Sequence, residues 1–131
     1  MKALDTNVLV RFLVNDDRAQ AERVRRLLAG AEEEGESFLI TLPVVMELIW
    51  VLRSVYGLDK AAILEALDAL TLMPVLEFEQ VDRVRELIRL GLKTRLELVD
   101  LLICICGRLS GAESTLTFDR KAGQEAGFTL I

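Results

Sequence analysis

Five short apolar runs separated by longer stretches of helical periodicity constrain this chain more than any other feature. Such alternation predicts an α/β fold with a mostly parallel sheet, because parallel strands need long crossovers and helices supply them. The runs are Lys2 to Leu4, Phe38 to Thr41, Val75 to Phe78, Ser114 to Thr117 and Phe128 to Leu130. About five strands are therefore expected, in one domain spanning residues 1–131, with no repeat, low-complexity tract or linker.

The intervening helices carry readable ends. One starts near Asp16 or Asp17, places Val24, Leu27 and Leu28 on one face and is expected to stop at Gly30, leaving Ala31 to Glu36 as a solvated helix end and loop. Pro43 suits the first turn of the next, which is expected to run to Gly57. Asp59 caps a helix from Lys60 to about Leu72, and Pro74 bars its continuation. A fourth places Val81, Val84, Leu87 and Ile88 at helical spacing and stops at Gly91. The fifth, Leu98 to Leu109, is apolar almost all round and should be the most buried.

Composition narrows the chemistry. The chain has no histidine, which excludes a Ser/His/Asp triad, a Cys/His pair and a His-ligated zinc site. Its net charge of -5 argues mildly against nucleic-acid binding, unless the acids gather in one metal pocket. Hydrophobic residues reach 52% in a count that omits glycine, already above the roughly 45–50% that ordinary domains reach with glycine included. That excess suggests apolar surface reserved for a partner. Cys104 and Cys106 stand two apart in an apolar run and read as buried, reduced thiols. No signal peptide precedes Asp5 and no apolar run reaches membrane-spanning length, so a cytoplasmic protein is expected.

Hydrolytic chemistry then has to rest on carboxylates, and four are placed for it. Asp5 and Asp119 each follow an apolar strand directly, at the carboxyl end where open α/β sheets bind ligands. Glu47 interrupts Val44-Val45-Met46-Glu47-Leu48-Ile49-Trp50, and Asp100 interrupts Leu98-Val99-Asp100-Leu101-Leu102-Ile103. Blander roles exist for each: a helix cap for Asp5 and Asp100, a salt bridge to an arginine for Glu47, a turn for Asp119. Together they fall at strand ends and helix beginnings, positions that lie along one edge of a parallel sheet. Carboxylates about 4 Å apart repel by roughly 4 kcal/mol per pair at an effective dielectric of 20, so such a cluster wants a divalent cation. Oxygen-only ligands point to Mg²⁺ or Mn²⁺, which activate water and clamp a phosphodiester without any histidine.

These residues resemble the PIN domains and, within them, the VapC-type toxins. The matching motifs are Leu4-Asp5-Thr6-Asn7-Val8-Leu9, Val45-Met46-Glu47-Leu48, Val99-Asp100-Leu101-Leu102-Ile103 and Leu116-Thr117-Phe118-Asp119-Arg120-Lys121. The resemblance implies a three-layer α/β/α sandwich and Mg²⁺- or Mn²⁺-dependent endoribonuclease activity. It assigns Asp5, Glu47, Asp100 and Asp119 to the acidic quartet, with Thr6, Asn7 and Thr117 as polar neighbours that orient a carboxylate or water. It also implies a homodimer neutralised by a cognate antitoxin whose C-terminal segment lies in a groove. Glu97 stands where relatives often carry Asp, as a further candidate ligand, and Leu-Leu-Ile-Cys-Ile-Cys replaces the usual alanine-rich helix.

For an RNA path, Arg120 and Lys121 follow Asp119 directly. Arg85, Arg89 and Lys93 form a second basic stripe at i, i+4 spacing, with Arg83 and Arg95 nearby, although Asp82 and Glu86 are interleaved as on a solvated face. Few aromatics are present, so extensive base stacking is not expected, and Trp50 reads as core. Two other readings compete. A phosphatase with an aspartyl nucleophile needs a second Asp two residues on, where Asn7 stands, and a catalytically silent protein-binding module would use the acids only as caps and salt bridges.

Overall fold

The computed structural model describes all 131 residues. Strand β1 (Lys2–Ala3) leads to helices α1 (Thr6–Leu13) and α2 (Arg18–Glu34), then β2 (Phe38–Ile40), α3 (Leu42–Ser54) and α4 (Lys60–Thr71). β3 (Leu76–Phe78), α5 (Val81–Leu90), α6 (Leu98–Leu109), β4 (Thr115–Thr117) and β5 (Phe128–Leu130) complete the order, with 3-10 turns at Gly91–Lys93 and Ala122–Gln124. This is the expected PIN-like α/β/α class.

All five strands pair in parallel, and they form two sheets, of three and two strands, where one central sheet was expected. The first has the order β1-β2-β3, pairing Lys2 with Phe38 and Phe38 with Leu76. The second pairs Thr115 with Phe128 and Thr117 with Leu130. Beyond the strands, the first sheet is extended by Leu4 N–H donating to Leu39 O at 3.0 Å and Glu79 N–H to Ile40 O at 2.8 Å. Those two bonds carry Asp5 and Glu79 to the carboxyl edge, where Glu79 Oε1 accepts from the first backbone N–H of α3, at Leu42.

The helices follow from capping and apolar stripes, with three departures. Asp17 caps α2 through Gln20 N–H, but Gly30 does not end it. Ala31 to Glu34 are good helix formers, so the helix continues until Gly35 takes the left-handed conformation (φ 69°) and closes the last turn. Leu27 consequently faces outward, while Ala21, Val24, Leu28 and Ala31 form the buried stripe. Helix α3 stops at Ser54, short of Gly57. The other ends fall close to expectation, and α6 spans the residues the sequence predicts.

One cluster of 26 buried residues forms the core. Helix α6 contributes Leu98, Leu101, Leu102 and Ile105 to it, at the i, i+3, i+4, i+7 spacing of a single face, so it is not buried all round: Ile103 and Leu109 are exposed. The thiols are free, Cys104 buried and Cys106 half-buried. Gly127 (φ 91°) brings the start of β5 against α6 so closely that a Cβ there would run into Cys104 Sγ. Leu102 is fully buried and Leu116 exposed. Leu102→Ala should therefore lower the free energy of unfolding by about 2–5 kcal/mol, whereas Leu116→Ala should change it by no more than about 0.5 kcal/mol, both read from urea denaturation.

Candidate active site

The apolar stripe of α6 sets its rotation, and that rotation turns Asp100 away from the core. Asp100 is half-buried in the first helical turn, where the helix dipole favours a carboxylate, and its carboxylate accepts no hydrogen bond from the protein. It faces a cleft of about 550 Å³ whose polar wall is formed by Arg95, Glu97, Asp100, Asp119, Lys121 and Glu125. Two of the four expected acids, Asp100 and Asp119, therefore meet, and Glu97 joins them. Gln124 and Glu125 are additions that no local sequence signal marks.

Asp119 reaches the cleft from the end of β4. Thr117 Oγ1 accepts from Asp119 N–H at 3.0 Å, and Asp119 Oδ1 accepts from Lys121 N–H at 2.9 Å and Ala122 N–H at 3.4 Å. Buried Ala122 anchors that turn to the core. The turn role foreseen for Asp119 is thus real and uses one oxygen, leaving Oδ2 free for other work. Asp5 behaves similarly: it caps α1, accepting from Thr6 N–H at 2.8 Å, and stays exposed. Thr6 beside it is the one buried polar residue. Asp5 and Asn7 do not line the cleft.

Glu47 corrects an expectation. The buried stripe of α3 is Val45, Leu48, Ile49 and Leu52, which leaves Glu47 and Trp50, three residues apart, on the outer face. Glu47 is exposed and forms no salt bridge; the arginine of this helix, Arg53, instead lies 3.6 Å from Glu97. Trp50 is 57% exposed and is not a core residue. Glu47 and Trp50 share a shallow depression with Val99, the residue before Asp100. Glu47 and the cleft thus approach the same first turn of α6 from two sides.

The model of the PIN domain family matches residues 2–126, a stretch that contains all four acids. The chain belongs to the PIN-domain family. A VapC ribonuclease of Aquifex aeolicus (strain VF5) is 25% identical over 131 residues, covering 100% of this chain and 96% of that protein.

Within this PIN domain, the donor set of the cleft suits a hard divalent cation. Its donors are oxygens, the carboxylates of Glu97, Asp100, Asp119 and Glu125 and the amide oxygen of Gln124, and the chain has no histidine to offer a softer metal. No three acidic or thiol side chains close around one point, so the geometry is not that of a four-carboxylate cage. Mg²⁺ keeps several waters and takes one or two carboxylates directly, which a cleft bearing Asp100 and Asp119 can provide.

The basic residues divide. Lys121 and Arg95 line the acidic cleft, and Arg120 is exposed beside it. On α5, Arg89 is committed to Glu86 through two hydrogen bonds, and Arg108 reaches the same carboxylate. Arg83 donates to Cys106 O and Ser110 Oγ at the end of α6. Arg85 and Lys93 remain exposed without ion pairs, but Lys93 lies in the 3-10 turn, where the helical spacing of the stripe ends. The interleaved acid thus neutralises the middle of that stripe.

Hydrogen bonding from Arg89 holds the Glu86 carboxyl below its ordinary range, and the same contact raises Arg89. A carboxylate whose folded value is depressed stabilises the fold above its unfolded value, and that stability is lost as pH falls through the folded value. Glu86→Gln should therefore destabilise the protein at neutral pH. The gap from wild type, measured by thermal denaturation, should close as pH falls below 4.5, the ordinary value for this group; a gap that persists there would assign it to packing.

Proposed function

We propose that this PIN domain is a Mg²⁺- or Mn²⁺-dependent endoribonuclease, the toxin of a toxin–antitoxin pair. The observation that carries this reading is the convergence of Asp100 and Asp119 on one cleft with Lys121 and Arg95 at its walls. A metal-dependent nuclease needs acids for its cation and bases for the phosphodiester, and this cleft carries both. The VapC ribonuclease relative supports RNA as the substrate and an antitoxin as the partner.

Asp100 and Asp119 would hold the ion, with Asp5 and Glu47 assigned to the same quartet by their motifs and Glu97 at the rim. When bound, a divalent ion supplies Lewis-acid charge at the phosphodiester and lowers the pKa of water. The protein's own groups do the rest. Lys121 and Arg95 neutralise and orient the phosphate, and Arg120 extends that contact along the strand. Arg85 and Lys93 are free to touch more distant phosphates, while Arg89 is held by Glu86. Thr117 keeps the Asp119 turn in place through its hydroxyl, so one carboxylate oxygen remains unencumbered. Thr6 and Asn7 orient Asp5 at the end of β1.

Exposed Val55, Leu72, Leu92 and Phe118 provide apolar surface for an antitoxin and for a second copy in a homodimer. A cytoplasmic site of action belongs to the same reading; separately, no helix is long and apolar enough to cross a membrane.

Purified protein should cut a structured RNA in Mn²⁺ and not in EDTA. Asp100→Asn and Asp119→Asn should each reduce cleavage by at least about 100-fold, beyond the 10–100-fold loss common when outer partners of a metal ligand are removed. Cleavage that ignores the metal, or survives both substitutions, rejects the mechanism and favours a silent binding module.

A further inference from the structure

A second cavity adjoins the acidic cleft and shares Glu97 with it. Its volume is about 300 Å³, at the small end of the roughly 300–1,000 Å³ range of ligand sites. Ile49 and Val99 form apolar wall, Trp50 stands at one side, and Arg53, Lys60 and Glu97 supply polar groups. Nothing in the quartet chemistry uses this cavity.

Its lining is unusual in two respects. Trp50, the only tryptophan of the chain, is 57% exposed although apolar helix neighbours surround it in sequence. Beside it stand two cations that are only partly committed. Lys60 Nζ donates to Thr94 O at 2.8 Å, which uses one of its three donors, and burial lowers its pKa. Arg53 donates to Leu58 O at 3.3 Å and lies 3.6 Å from Glu97, leaving further N–H groups free.

We propose that this cavity receives one nucleobase of the RNA, stacked on Trp50, with Arg53, Lys60 and Glu97 around the base edge. The inference rests on the nuclease reading, because the shared Glu97 places the cavity next to the cleft that would hold the scissile phosphate. Three features select a base. A planar indole is a stacking surface for any base. Donors on Arg53 and Lys60 with an acceptor on Glu97 match the mixed edge of a base, whereas a purely aliphatic occupant would leave those charges desolvated. A volume of this size suits one ring system and is too small for a helix. RNA recognition commonly works through unstacked bases held on aromatic side chains, and one well-placed aromatic is enough for one base.

The single tryptophan makes the test direct. Protein in EDTA, where no cleavage can occur, is titrated with a short single-stranded RNA while Trp50 emission is followed. An oligomer of the same length with abasic nucleotides is run in parallel. The base-bearing RNA should quench Trp50, and Trp50→Ala should weaken its binding on the order of ten-fold. Trp50→Phe should retain most of the affinity, and the abasic oligomer should bind wild type and Trp50→Ala alike. Because Trp50 is exposed, neither substitution removes core packing. Base-bearing RNA that binds without quenching, or binds wild type and Trp50→Ala equally, overturns the assignment and leaves the cavity to a protein partner. If Mn²⁺-dependent cleavage accompanies that result, the nuclease reading stands without the base pocket; if wild type neither binds nor cuts RNA, both fall.

Discussion

The structure depends on how α6 is wedged into the core. Leu98, Leu101, Leu102 and Ile105 lock one face of the helix, and each fully buried leucine or isoleucine contributes about 1.5–3 kcal/mol relative to an exposed one. That face meets α3 and α5, and the rotation it imposes decides which residues of the first turn reach solvent. Asp100 emerges into the acidic cleft, Val99 borders Glu47 and Trp50, and Glu97 separates the cleft from the smaller cavity. Three features with different chemistry are organised by one hydrophobic contact. A change deep in the core that rotated α6 by a fraction of a turn would disturb all of them.

The acids also show that a local structural role and a chemical role do not compete. Asp119 uses Oδ1 to hold the turn after β4, and Asp5 accepts from the first backbone N–H of α1. A carboxylate has two oxygens and about four acceptor sites. Committing one oxygen to the backbone immobilises the side chain and leaves the other available. The cap and the turn, which taken alone make each acid look unremarkable, give a binding group little freedom to lose.

Much of the fold was legible because local rules and the tertiary structure agree. Asp17 and Asp59 cap where the sequence places caps, and α6 begins and ends as its apolar pattern predicts. Gly30 misled because glycine is tolerated inside a helix: nothing lies close to it, and the good helix formers that follow outweigh its cost. Trp50 reads as core from the apolar company it keeps, although the 3.6-residue period through Val45, Leu48, Ile49 and Leu52 places both it and Glu47 outside. The division of the five strands into two sheets has no sequence signature, since each run carries only three residues or fewer of strand. Glu125 was invisible for a related reason, because it reaches the cleft only through the path between β4 and β5.

The proposed chemistry requires a cation held where the end of β4 meets the start of α6. Crystals grown with Mn²⁺ and measured by its anomalous scattering test this most directly. A peak is expected in the cleft within direct coordination distance of a carboxylate oxygen of Asp100 or Asp119. A peak confined to other acids, or none at saturating Mn²⁺, contradicts it.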